Sequence, residues 1–323
     1  MKIRNKLFAL GLSLAMVMGM GAVVSADEKT YTDATTVTIT KNYELKGEGK
    51  SPAETFKVEQ VGDGKVTDGD ATSAPALTGI SAVTYAAGAA GSENKTGTFT
   101  VTLPNYERTG VYEYTLQEVA GKTAGVTYRT KPIKLVVTVI EQSGLIRVAA
   151  VHTEQENGTK TSTFNDNTYT ANSLSVSKKV TGNLGDKKKE FNFTVTFTAP
   201  TDKDWTNAIT VAEGSGATDL TWDGNTATFT LSDADTVTFE NVPAGVSYEV
   251  KEDSYEKDGY ETTYDGSENG TMGESAVSTT VTNDKTGTVD TGINLDSLPY
   301  ILILVLAAGL ALAFIVSRRR RFE

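Results

Sequence analysis

LSVSKKV, residues 174–180, is a short apolar pattern interrupted by one charge. In a β-strand, side chains alternate between the two faces, so Leu174, Val176, Lys178 and Val180 lie together on one face. Only the lysine on that face is polar. Because an isolated amine in a core is costly, the stretch by itself favours an ordinary explanation: an edge strand, a shifted register, or a lysine that extends to solvent.

The same irregularity recurs in two later strand patterns. The apolar face of VSYEVKE, residues 246–252, ends in Glu252, and that of VSTTVTN, residues 277–283, ends in Asn283. A lysine, a carboxylic acid and a carboxamide thus each occupy an inward position within one segment. Three such residues in one segment argue against a separate, unrelated explanation for each polar residue on an apolar strand face.

The N-terminal half of the chain repeats the three residue types in the same order. Lys41 and Glu118 each interrupt an apolar strand face, and the cluster Asn165, Asp166 and Asn167 follows later. If side chains alternate strictly from Phe164, Asp166 faces the core; Asn167 can face the core only if the strand has a bulge of one residue. All three residues of the cluster stay open as partners of Lys41.

The two ends of the chain carry export and membrane signals. Residues 1–26 combine basic residues, an apolar run and the small residues before Ala26, which is typical of a secretory signal peptide. Residues 287–323 form a second signal, with an apolar span at 298–316 and an arginine-rich tail at 318–321. We therefore expect an exported protein that is held transiently in the membrane.

Composition excludes several functions. The chain has 323 residues, a net charge of −11 and no cysteine, and His152 is its single histidine. A cysteine nucleophile, disulfides and a histidine-rich metal site are therefore excluded. The acidic balance argues against nucleic acid as a partner. No metal and no cofactor is expected.

Frequent alternation and the abundance of Thr, Val and Gly predict an all-β fold. EFNFTVTFT, residues 190–198, is the clearest amphipathic strand, and residues 62–76 and 86–95 read as loops. We predict two tandem antiparallel β-sandwich (Ig-like) domains, residues 27–171 and 172–286, joined near residues 170–173.

A buried meeting of Lys178, Glu252 and Asn283 predicts a specific reaction. Burial disfavours charge, so an amine and a carboxyl group can both be neutral in the same dry site. The amine can then attack the Asn283 carboxamide and expel ammonia, while the glutamate transfers protons, which leaves an isopeptide bond. An Asp at the acceptor position would lose water instead. The alternative is a buried salt bridge with a hydrogen-bonded asparagine.

These residues lie in motifs that resemble a known family. TITKNYEL (38–45), GVYEYTLQE (110–118), LSVSKKVTG (174–182), GVSYEVKED (245–253) and TVTND (280–284) look like the two-domain backbone pilins of Gram-positive bacteria, of the streptococcal type. The resemblance implies a bond from Lys41 to the Asn cluster, with Asn167 favoured and Glu118 assisting. It also implies a bond from Lys178 to Asn283 with Glu252 assisting.

The resemblance further implies assembly by a sortase. TVDTG, residues 288–292, lies just before the span, so cleavage is expected between Thr291 and Gly292. The motif departs from Leu-Pro-x-Thr-Gly at its first two positions, which leaves the sortase class open. Lys160 in NGTKTSTF (157–164) is the expected acceptor lysine, and the lysines at 187–189 are alternatives.

The expected function is that of a structural subunit of a covalently polymerised pilus on the cell surface, finally anchored to the cell wall. Its expected partners are identical subunits, sortase and peptidoglycan, with a host surface ligand as a further candidate. We expect no enzymatic activity beyond the reaction on itself. The alternatives are a wall-anchored adhesin or pilus-tip subunit that is sorted but not polymerised, and an ordinary single-pass membrane protein.

Overall fold

The computed structural model describes residues 33–88, 94–205, 209–288 and 298–319. In these ranges, strands account for most of the regular structure. The strands up to the middle of the chain are β1 (Thr36–Gly47), β2 (Glu54–Gln60), β3 (Lys65–Gly69), β4 (Gly79–Ile80), β5 (Val83–Tyr85), β6 (Lys95–Thr102), β7 (Gly110–Val119), β8 (Val126–Thr127), β9 (Ile133–Gln142), β10 (Leu145–Glu154) and β11 (Thr163–Thr181).

The second half continues with nine shorter strands and two helices in the described residues. The strands are β12 (Phe191–Thr198), β13 (Thr210–Val211), β14 (Thr218–Asp223), β15 (Thr226–Leu231), β16 (Thr236–Pro243), β17 (Ser247–Glu252), β18 (Glu261–Gly266), β19 (Asn269–Thr271) and β20 (Val277–Asp284). A 3-10 turn covers Glu256–Asp258, and helix α1 covers Leu298–Arg319.

Three sheets build two sandwiches. A nine-stranded sheet, here called the spanning sheet, runs in the order β13-β16-β11-β1-β6-β4, and β8, β20 and β18 complete it. The N-terminal sheet has the order β10-β9-β7-β2-β5 with β3 beside β7, and the C-terminal sheet has the order β14-β15-β12-β17-β19. Each of these two sheets packs on one half of the spanning sheet, so the molecule has two hydrophobic cores.

Alternating burial explains why these segments form strands. In β12, Phe191, Phe193, Val195 and Phe197 face the C-terminal core while the residues between them face outward. The turn between β9 and β10 uses Ser143 and Gly144 at φ 54° and 78°, the conformation that a two-residue hairpin requires. The predicted all-β fold is confirmed.

β11 is one uninterrupted strand that belongs to both sandwiches. Its first part pairs in parallel with β1, and its second part lies between antiparallel β16 and parallel β20. Most other pairs in the described residues are antiparallel, as expected. The junction predicted near residues 170–173 therefore falls inside a strand, where no flexible linker separates the two cores.

Hydrogen bonds across the junction hold the sandwiches together. The Lys50 N–H donates to Asn241 Oδ1 at 2.8 Å, and the Asp204 N–H donates to the Lys122 carbonyl at 2.6 Å. Gly49 passes so close to β11 that a Cβ there would lie 2.4 Å from the Ala171 Cβ, so only glycine fits. The junction is thus a packed interface.

Four further predictions differ from the structure in part or lie outside the described residues. The segment 62–76, predicted as a loop, contains the short strand β3 paired with β7. Helix α1 extends to Arg319, three residues beyond the predicted span, and its Tyr300–Arg318 portion is apolar and long enough to cross a membrane. The signal peptide at 1–26 and the TVDTG motif lie wholly or mostly outside the described residues.

Candidate isopeptide-forming sites

The N-terminal site lies between the two sheets of the first sandwich. Lys41 on β1 and Asn167 on β11 come from neighbouring strands of the spanning sheet, and Glu118 on β7 comes from the facing sheet. Lys41 is 2% exposed and Asn167 is completely buried. The alternation of each strand aims all three side chains into the core.

The three side chains form a closed ring of hydrogen bonds. Lys41 Nζ donates to Asn167 Oδ1 at 2.5 Å and also to Glu118 Oε2. Asn167 Nδ2 donates to Glu118 Oε1 at 2.6 Å, and the Arg129 backbone N–H donates to the same oxygen at 2.9 Å. The amine, the carboxamide and the carboxyl group are therefore already in mutual contact.

Burial sets the electrostatics of Lys41. Loss of solvation lowers the pKa of its amine, and the nearby Glu118 carboxylate offsets part of this effect. The Phe56 ring lies 4.8 Å from Nζ, which contributes to the dry surroundings. A lowered pKa makes the neutral, nucleophilic amine more accessible near neutral pH.

A bulge in β11 decides which residue of the Asn/Asp cluster reaches Lys41. Lys41 pairs with Phe164 but Tyr43 pairs with Asn167, so β11 contains one extra residue between these points. Asn165 and Asp166 both face outward as a result. The structure thus brings Asn167 to Lys41, whereas the inward Asp166 of strict alternation is not found.

The C-terminal site draws its three residues from the corresponding strands, but the Lys178 amine donates to the Val281 carbonyl at 3.3 Å and not to Asn283. Lys178 on β11 and Asn283 on β20 lie on neighbouring strands of the spanning sheet, and Glu252 on β17 comes from the facing sheet. Lys178 is 2% exposed and Asn283 is completely buried. Lys178 Nζ lies 3.0 Å from Glu252 Oε1 and 4.3 Å from the centre of the Phe191 ring.

Burial again lowers the pKa of the lysine amine, with Glu252 acting in the opposite direction. Thr262 on β18 donates its hydroxyl to Glu252 Oε2 at 3.2 Å, which leaves Oε1 facing the amine. Both polar side-chain atoms of Asn283 are buried without a hydrogen-bond partner among the described residues. Such an unpaired carboxamide is costly in a core, so this residue needs a role beyond packing.

The two sites match in register. Asn167 pairs with Tyr43, two residues after Lys41, and Asn283 pairs with Val180, two residues after Lys178. In both cases the lysine and the asparagine belong to adjacent parallel strands. The repeated order in the sequence therefore corresponds to a repeated arrangement in space.

Sequence reasoning missed Arg129 and Thr262, which contact the two glutamates. Both lie far in the chain from the lysines, and neither interrupts an apolar strand face in a recognisable way. Only the folded arrangement of strands reveals them. Within the described ranges, no three His, Cys, Asp or Glu side chains converge as metal ligands.

Lys160, the expected acceptor, is exposed. It forms an isolated β-bridge with Glu154 and follows a tight turn in which the Gln155 N–H donates to the Thr159 carbonyl at 2.9 Å. Of the alternatives, Lys187 pairs with Asp233 at 3.1 Å and Lys189 with Asp258 at 3.2 Å. Thr291 and Gly292 lie outside the described residues.

Fold and sites together define a class of protein: tandem β-sandwiches, each with a buried lysine and asparagine on adjacent strands and a glutamate opposite. The Spy0128-like isopeptide containing domain matches residues 28–170, and a domain of unknown function matches residues 172–285. A pilin of Streptococcus pyogenes serotype M1 is 30% identical over 331 residues, covering 92% of this chain and 95% of that protein. The chain belongs to the backbone pilins of Gram-positive bacteria.

A solved structure agrees. The crystal structure of the major pilin from Streptococcus pyogenes is similar with a TM-score of 0.52 and 26% identity, covering 79% of this chain and 100% of that one. Similarity to the pilus tip adhesin Cpa of Streptococcus pyogenes is 39% over 79 residues, only 11% of that protein. The chain is therefore a structural subunit of a surface pilus, and the adhesin alternative is not favoured.

Proposed function

We propose that this pilin stabilises itself with two isopeptide bonds, Lys41 to Asn167 and Lys178 to Asn283. The observation that carries the proposal is the buried contact of Lys41 Nζ with Asn167 Oδ1 at 2.5 Å, beside the Glu118 carboxyl group. The matching register of the C-terminal site supports the same reaction there.

The reaction exchanges one nitrogen for another. The neutral lysine amine attacks the asparagine Cγ, the new C–N bond forms, and the original C–N bond breaks. The amine loses one proton through the glutamate, which returns a proton to the leaving nitrogen, so that ammonia departs and the glutamate is unchanged. Hydrogen bonds that the glutamate accepts from both partners hold the reacting atoms together in the N-terminal site, which supplies much of the rate.

Each bond is made once per molecule, so the proposed chemistry is self-maturation without a second substrate. We propose no cofactor and no enzymatic activity toward other molecules. Closing a loop of about 100 residues contributes roughly 5 kcal/mol of stability by the chain-entropy estimate for disulfides. This contribution suits an extracellular protein without cysteine.

Assembly is proposed to use a sortase. The sortase cleaves between Thr291 and Gly292, removes α1 with the arginine-rich tail, and transfers the Thr291 acyl group to Lys160 of the next subunit. The exposed position of Lys160 supports this role, as does the apolar helix that follows the TVDTG motif. Peptidoglycan is the proposed final acceptor at the cell wall.

Two measurements test these proposals separately. Intact mass of the purified ectodomain is expected to fall short of the sequence mass by two molecules of ammonia, and the full unreacted mass would refute the internal bonds. In cell-wall extracts, we expect a ladder of SDS-resistant polymers of the pilin. The ladder should disappear in the Lys160→Ala variant and persist in the Lys187→Ala control. A ladder that survives Lys160→Ala would refute Lys160 as the acceptor.

A further inference from the structure

We propose that an ion pair between Arg129 and Asp166 selects Asn167 as the reaction partner of Lys41. The inference rests on the proposed isopeptide chemistry and assigns it a specificity-determining contact. The starting point is that β11 offers Lys41 two neighbouring acceptors, an aspartate and an asparagine, and presents only one of them.

The choice depends on where the bulge lies. Phe164 and Tyr169 are both buried, and five steps separate them, so alternation cannot place both inward without one extra residue. With residues 165 and 166 outward, Asn167 faces Lys41, which is the observed arrangement. With residues 167 and 168 outward instead, Asp166 would face Lys41 while both aromatic residues kept their places.

Arg129 is buried at the edge of the core and holds the bulge in the observed position through its side chain. Its Nη1 pairs with Asp166 Oδ2, and its guanidinium lies 4.8 Å from the centre of the Phe164 ring. Nη2 donates to the Pro132 carbonyl at 3.3 Å, which fixes the side chain. Arg129 is 5% exposed, so its charge is poorly solvated; besides the Asp166 carboxylate, Glu118 and Glu156 offset part of this cost.

The interior opposes the alternative arrangement. An inward Asp166 would bring its carboxyl group beside Glu118, and two adjacent carboxylates cannot both ionise without a large penalty. The Arg129 backbone N–H already donates to Glu118 Oε1 at 2.9 Å. One residue therefore positions the assisting glutamate through its backbone and excludes the wrong acceptor through its side chain.

A neighbouring contact does not discriminate between the two arrangements. Asn42 Nδ2 donates to Asn165 Oδ1 at 2.8 Å, and residue 165 faces outward in both. The selection consequently depends on Asp166 and its partner. Alternation counted from Phe164 favours position 166, whereas alternation counted back from Tyr169 favours position 167, so the strand pattern alone does not choose between them.

Asp166→Asn is the first test, because its half-exposed side chain can change without disturbing the core. The substitution removes the ion pair and the repulsion by Glu118, and it places a second reactive carboxamide in the bulge. Peptide mapping by tandem mass spectrometry is expected to find Lys41 linked to position 166 in part of the molecules, and to Asn167 in the rest. Linkage to Asn167 alone would overturn the proposal.

Arg129→Met is the second test, with Arg147→Met as its matched control. Arg147 also pairs with an aspartate, Asp33, at 2.6 Å in the same sandwich, but away from the bulge. Arg129→Met is expected to lower the share of the Asn167 link and to produce some Lys41–Asp166 link, recognised by loss of water instead of ammonia. Arg147→Met is expected to keep the Asn167 link, and identical maps for the two variants would overturn the proposal.

The outcomes separate this inference from the function on which it rests. If the natural protein shows no loss of ammonia, the isopeptide chemistry itself fails. If the natural protein links Lys41 to Asn167 and both Asp166→Asn and Arg129→Met do the same without exception, only the selection by the ion pair fails. The C-terminal bond, which none of these changes touches, reports in every sample that the C-terminal sandwich has folded and reacted.

Discussion

Asn167 pairs with Tyr43 across two parallel strands, and this pairing places the carboxamide beside Lys41, two residues earlier on β1. Asn283 is placed relative to Lys178 in the same way. In the N-terminal sandwich the register exists only because β11 bulges, whereas β20 reaches it without a bulge. Two different local routes thus lead to the same register; Asn167 is hydrogen-bonded to its lysine, and Asn283 has no hydrogen-bond partner among the described residues.

Removing the assisting carboxylate is expected to prevent closure of the C-terminal bond. Glu252→Ala should give a folded protein that melts at a lower temperature and is cleaved faster by protease, with a loss of up to about 5 kcal/mol by the loop-closure estimate. Glu249→Ala, an exposed position on the same strand, should change neither property. Equal melting temperatures for the two variants would count against the bond.

The Thr262 hydroxyl is expected to orient Glu252 during the reaction. Because it donates to Oε2 at 3.2 Å, Thr262→Val should slow closure at the C-terminal site, and Thr262→Ser should restore it. Thr263→Val, on the exposed face of β18, is the control. Intact mass at short times after expression measures the fraction of molecules in which the C-terminal bond has formed. Equal rates of bond formation for Thr262→Val and Thr262→Ser would contradict the prediction.

The unreacted lysine should make stability depend on pH. In Asn283→Ala the Lys178 amine stays free, and burial lowers its pKa in the folded state below the ordinary value of about 10.4. Between the lowered pKa of the folded state and the ordinary pKa, the unfolded chain binds more protons than the folded protein. The free energy of unfolding should therefore be highest above the ordinary pKa and decline as pH falls toward the folded pKa.

The control for this pH dependence is Asn283→Ala combined with Lys178→Met. Denaturant melts of the two proteins at a series of pH values from neutral to alkaline give the comparison. The difference in free energy of unfolding between them should shrink as pH rises. A constant difference would show that the amine does not titrate differently on folding.

The junction should depend on Asn241. This residue has φ 63°, which asparagine tolerates better than alanine, and its Oδ1 accepts from the Lys50 N–H at 2.8 Å. Asn241→Ala is expected to cost about 1–3 kcal/mol and to speed amide exchange at Lys50. Asn241→Asp keeps an acceptor and should cost less; faster exchange in it than in the alanine variant would contradict this assignment.

Alternation of polar and apolar residues predicted the strands, the buried lysines and the glutamates, because these features depend on the period of a single strand. Lys178 and Glu252 could be found in this way since each interrupts an otherwise apolar face. The pattern of a single strand could not show whether neighbouring strands run parallel, because strand pairing joins residues that are distant in the chain. The uninterrupted β11 was missed for the same reason.

The choice between Asp166 and Asn167 shows where the pattern of one strand stops being informative. A bulge is decided by contacts to side chains on both faces of the strand. Here Arg129 pairs with the outward Asp166 and Glu118 contacts the inward Asn167, and neither partner is close in sequence. The resemblance to streptococcal pilins favoured Asn167, which is the residue that the structure brings to Lys41.

β11 carries both Asn167 and Lys178, so the two proposed bonds would close two separate covalent rings, and one strand joins the first ring to the second. Only residues 168–177 connect the rings, and a β-strand already has nearly its full contour length at about 3.3 Å per residue. A force applied along the filament would therefore extend this segment very little. Each subunit would behave as a taut link, and the fibre would transmit a pull to the cell without lengthening to dissipate it.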